Sequence, residues 1–199
     1  NASWRQATVT GGGTAWNFGA TGSTAIGQAA ISAWREVEPS VMQTIVDVPL
    51  DGRFVVASDV TDLGNGRFHY EYAIYNLTSD RSCGSLTVPV SGATTVTGIG
   101  FHDVDYRDGD GPDNVNFSGA DWTAEHAGDS LRWATESFAT NASANAIRWG
   151  TLYNFRFECG RPPMNGQVSL GLFKPGATDE VFAAAIVPSP CEADFNEDG

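Results

Sequence analysis

Asp194, Asn196, Asp198 and Gly199 occupy the first, third, fifth and sixth places of the run Asp194-Phe195-Asn196-Glu197-Asp198-Gly199. That spacing is the opening half of a helix-loop-helix calcium loop, in which the first, third and fifth residues offer oxygen and the glycine permits a sharp turn. Calcium takes roughly six to eight oxygens, so the run needs further ligands from another segment or chain. A second acidic stretch carries Asp103, Asp105, Asp108, Asp110 and Asp113, interleaved with Gly109 and Gly111. Carboxylates so crowded repel one another, and a divalent cation relieves the repulsion; the same composition also suits a solvated turn. Calcium is the cofactor to which both stretches point.

For acid/base work the candidates are Glu71, Asp103, Asp105 and Glu125, with His69 or His102 as proton carriers. No motif links them, although a paired-carboxylate glycosidase can draw its two acids from distant strands. Nucleophile-elbow, phosphate-loop and zinc-protease patterns are all missing from the sequence. Among the six tryptophans, Trp122 in Gly119-Ala120-Asp121-Trp122 is the candidate for an exposed sugar-stacking platform. Trp34, Trp133 and Trp149 fall in phase with apolar residues and are assigned to the core.

Three cysteines are an odd count. Cys83 and Cys159 are the expected disulfide, closing a loop of roughly 75 residues worth about 3 to 4 kcal/mol. Cys191 is left for a partner beyond Gly199. The alternative is a set of reduced, buried thiols.

These groups need a scaffold. The 199 residues include 23 Gly and 9 Pro, and 41% are hydrophobic, which suits many short strands joined by turns. With 24 acidic against 11 basic residues the formal charge is -13, a surface that repels phosphate backbones and anionic lipid and so excludes nucleic acid as a partner. No run of roughly 20 apolar residues exists to span a bilayer. Period-two alternation predicts strands over 41–48, 53–60, 67–77, 86–90, 95–106, 130–138, 146–157, 167–173 and 181–187, with an edge strand near 15–18. One helix is expected from Thr24 until Pro39 stops it, with Ile26, Ala29, Ala30, Ala33 and Trp34 on one face. The fold class is therefore all-β: an immunoglobulin-like or jelly-roll antiparallel β-sandwich with one short helix near the N-terminus. Residues 1–40 supply a loop and helix expected to pack on the sandwich, 41–187 the sandwich, and 188–199 a proline linker and the truncated calcium loop.

The segment Pro190-Cys191-Glu192-Ala193-Asp194-Phe195-Asn196-Glu197-Asp198-Gly199 resembles the start of a GC-type dockerin-like domain of secreted bacterial proteins. The body, including Phe68-His69-Tyr70-Glu71-Tyr72 and Arg148-Trp149-Gly150-Thr151-Leu152-Tyr153, is similar to the uncharacterised region that precedes such domains. The resemblance implies export and a modular neighbour, and assigns no catalytic residue. The expected function is a non-catalytic extracellular or cell-surface module, structural or adhesive, contacting other chains or copies of itself. The alternatives are a carbohydrate-binding module and a polysaccharide-active enzyme.

Overall fold

The computed structural model describes residues 3–109, 111 and 114–190. Two compact units divide the chain, Asn1–Ser40 and Val41–Gly199.

In the first unit, β1 (Ser3–Trp4) pairs with β4 (Ala25–Ile26), and β2 (Ala7–Gly12) pairs with β3 (Ala15–Ala20). The β2–β3 connection is the two-residue turn Gly13-Thr14 with φ of +61° at Gly13, a backbone state that glycine enters without the Cβ clash other residues suffer. One helix follows, α1 (Ser32–Val37). Its six residues are less than half of the expected length. Residues 25 and 26 pair as a strand, and the glycine after them has φ of +75°, so the helical spacing of Ile26 and Ala29 is coincidental.

The second unit is the sandwich. One antiparallel sheet has the order β5 (Met42–Val48), β6 (Gly52–Gly64), β7 (Arg67–Asn76), β12 (Leu152–Cys159), β9 (Val96–His102). Its partner has the order β10 (Thr123–Ala127), β11 (Ser130–Ala134), β8 (Cys83–Pro89), β13 (Pro163–Leu172), β14 (Glu180–Pro188). Alternation explains which face turns inward: Tyr153, Phe155, Phe157 and Cys159 on β12 are buried, as are Tyr70, Tyr72 and Ile74 on β7. Trp133 of β11 crosses the gap to Phe155 and Phe157, at ring distances of 5.6 and 6.2 Å. Along one side, Tyr72 Oη donates to Ile186 O at 2.8 Å and Thr44 Oγ1 to Ala184 O at 2.9 Å, tying β7 and β5 to β14. The all-β antiparallel sandwich with a single short helix among the described residues is what the structure shows. No helix among the described residues is long and apolar enough to cross a membrane.

The disulfide expected between Cys83 and Cys159 does not form. Both thiols are free and buried. Cys83 pairs with Ile147, whose carbonyl accepts from Asn76 at the end of β7, whereas Cys159 pairs with Phe68 near its start. Eight residues of strand at about 3.3 Å each separate those points, far beyond the ~7 Å Cα limit for a bridge. Alternation placed Cys159 on the inner face correctly but said nothing of its position along the strand. Alkylation of the native protein should leave both residues unmodified, and unfolding should expose both. A non-reduced peptide linking them would contradict this placement.

Candidate functional site

The exposed aromatic surface lies where alternation did not put it. Trp122, the expected platform, is 4% exposed, stacked at 5.7 Å on Phe101 and packed against Tyr153 and Phe155. Its indole N–H donates to the carbonyl of Asn145. Trp149, assigned to the core, is 73% exposed. The cause is local: residues 148–151 form a turn closed by Thr151 N–H donating to Arg148 O at 3.0 Å, with φ of +82° at Gly150. Glycine in the third place is what a type II turn requires, so the alternation carried back through Trp149 crosses a chain reversal. The Trp-Gly pair was the readable signal.

Around Trp122 sits a buried polar network. Asn145, fully buried, donates through Nδ2 to the Asp103 carboxylate and to Ala120 O at 2.9 Å, and its Oδ1 accepts from the Tyr153 hydroxyl. Burial and the neighbouring Tyr106 hydroxyl push the Tyr153 phenol well above its ordinary pKa. These bonds hold the segment after β9 and the segment before β10 to β12. Asp103 therefore has a structural partner, and among the described residues no group of three or more His, Cys, Asp or Glu side chains gathers around a point. Asp105 and Asp108 are exposed. The remaining expected calcium ligands, Asp110, Asp113, Asp194, Asn196 and Asp198, lie outside the described residues, as does Cys191.

The acid/base candidates are spread over both sheets. Glu71 faces Asp59 and Arg156 across its strand pairs, while Glu125 faces Arg132 on the other sheet. His69 lies 3.7 Å from Glu158, which also binds Arg67 at 3.0 Å. Asn76, which opens the glycosylation-type triplet Asn76-Leu77-Thr78, is fully buried with its amide bonded to Ser79 O and Ile147 O.

In the first unit the notable surface is the β2–β3 hairpin. All twelve strand residues are exposed, with Val9 at 53%, Trp16 at 54% and Phe18 at 75%. Neither strand has another partner among the described residues. Between Arg5 and Arg35 the sequence has no Asp, Glu, Lys, Arg or Pro, a gap that was legible and is unusual in a chain of charge -13. Natural edge strands are blunted with charge or proline, and here neither is present. In comparison with known proteins, no family model matches the chain and no curated sequence does.

Proposed function

We propose that the protein is a non-catalytic, extracellular β-sandwich module that works by adhesion between chains, with β2–β3 of one copy meeting β2–β3 of another. The observation that carries this reading is the exposed, uncharged, doubly unpaired hairpin. A two-stranded hairpin alone is marginal in water, so a partner that extends its sheet stabilises it. The absence of charge favours a second copy as that partner, because two chains of net charge -13 repel one another except where a neutral surface is presented. Placement outside the cell is supported by the resemblance of residues 190–199 to a dockerin-type calcium loop.

Magnitudes set how strong the contact is. Burying a Trp or Phe side chain contributes about 1.5 to 3 kcal/mol, so two copies of Trp16 and Phe18 supply roughly 6 to 12 kcal/mol. Association costs about 4 to 15 kcal/mol before side-chain ordering. The difference is at most about 8 kcal/mol, so the pairing is no tighter than about micromolar, and it is strengthened when many copies are held on one surface. Sedimentation over a concentration series should show self-association of the wild type, abolished in a Trp16→Ser, Phe18→Asp double variant that keeps the same melting temperature. A wild type that stays monomeric at every concentration would remove the reading.

A further inference from the structure

At the end of the sandwich near the 148–151 turn is a cleft of about 550 Å³, lined by Trp149, Arg148, Lys174, Asp80, Phe117 and Tyr106 among others. Trp149, one of its lining residues, is 73% exposed. The Arg148 guanidinium lies 3.8 Å over the Phe117 ring, and its Nη2 donates to Ala142 O at 3.1 Å and Ala144 O at 2.9 Å. Its Nε is buried without an acceptor, and no carboxylate pairs with it among the described residues. Burial accordingly pulls the Arg148 pKa below its ordinary value. Lys174 is the chain's single lysine and meets Asp80 at 2.8 Å. Arg81 donates to the Lys174 carbonyl at 2.8 and 3.0 Å and so fixes the backbone at Lys174.

We propose that this cleft binds a pyranose bearing an anionic group, with the sugar ring stacked on Trp149 and its carboxylate or sulfate turned toward Arg148 and Lys174. A cleft for a neutral sugar has no need of a half-buried guanidinium with no carboxylate partner among the described residues. In that place an anion gains a charge-assisted hydrogen bond and relieves the cost of the unpaired cation. The lining of the cleft brings two cations, Arg148 and Lys174, against one carboxylate, Asp80. At physiological salt the Debye length is about 8 Å, so this local balance outweighs the distant acids that make up the net charge. The aromatic wall and a few convergent polar groups are the usual make-up of a small-ligand site.

The test is calorimetric titration of the whole chain with three hexasaccharides: an oligouronate, a sulfated galactan and neutral cellohexaose. One of the two acidic sugars is expected to bind with an affinity that falls as salt rises, and the neutral one at least tenfold more weakly. Trp149→Ala and Lys174→Gln should each weaken that binding by about tenfold. Both positions are at the surface, and unchanged circular dichroism melts would establish that the variants fold. Binding of either acidic sugar that meets these conditions supports the proposal and identifies the anion. Equal binding of all three, binding unaffected by Trp149→Ala, or no binding of either acidic sugar overturns it.

Discussion

Raising the pH from about 8 to 10.5 is expected to remove several kcal/mol of unfolding free energy from the sandwich, well before any backbone chemistry intervenes. Cys83 is fully buried, and desolvation lifts its thiol from 9.0 to about 12, against smaller opposing effects of a backbone hydrogen bond with Ser85 and of Arg132. Burial likewise raises Cys159, Tyr70, Tyr72 and Tyr153. In each case the folded state holds a proton that the unfolded chain releases. The unfolded state therefore binds fewer protons above pH 9, and stability, complete below that point, falls as pH climbs toward the folded-state value. Each unit travelled is worth about 1.4 kcal/mol per group, so Cys83 alone accounts for roughly 2 kcal/mol at pH 10.5. The three phenols add to the loss from pH 10 upward. Urea titrations at the two pH values should show a lower midpoint at unchanged slope, and Cys83→Val should flatten the pH dependence although it destabilises the protein at pH 8. A stability that is level from pH 8 to 10.5 would mean that these groups are not sealed from water.

The strands that carry the inner face were readable because half of each strand is apolar and the period is two. Tyr70, Tyr72 and Ile74, and Tyr153, Phe155 and Phe157, identify themselves in that way. Alternation is silent on three other matters, and each cost a residue. It gives no position along a strand, so Cys83 and Cys159 were joined across the length of the sandwich. It does not announce a turn inside an apolar run, so Trp149 was assigned to the core when Gly150 had already reversed the chain. It cannot say where an isolated tryptophan between loops packs, and Trp122 owes its burial to Phe101 and Phe155, residues on two different strands. β10 was missed for a related reason: Thr123–Ala127 has the burial pattern of an exposed edge strand, with no apolar face to register. Loop asparagines are harder still. Nothing in Asn145-Ala146-Ile147 separates a buried hub from an ordinary turn residue, because its role is set by Asp103 and Ala120, 42 and 25 residues away, together with Tyr153 on the following strand.

That hub makes the second large effect predictable. Replacing Asn145 with Leu keeps the branching and heavy-atom count of the side chain and removes every side-chain hydrogen bond at once: the Tyr153 hydroxyl loses its Asn145 acceptor, and Asp103 and the Ala120 carbonyl lose their donor. Each buried group left without a partner costs about 1 to 3 kcal/mol. Tyr153 retains a weaker contact with Ala146 O at 3.3 Å, and Asp103 is only partly buried, so the sum is expected near the low end, about 3 kcal/mol. For a domain of this size that is a fall in Tm of roughly 6 to 12 °C. Asn145→Asp separates polarity from packing. It keeps an acceptor for Tyr153 but sets a second carboxylate against Asp103, and like charges so close raise one another's pKa. The Asp variant should therefore be strongly destabilised at pH 7 and recover part of the loss near pH 4, where one proton is shared, whereas the Leu variant should show no such recovery. Hydrogen exchange completes the argument, since the amides of residues 103–109 and 114–122 should lose protection in both variants before those of β7 and β12. If the Leu variant melts within a degree or two of the wild type, the segment is held by Trp122 packing alone and the Asn145 network is ornamental.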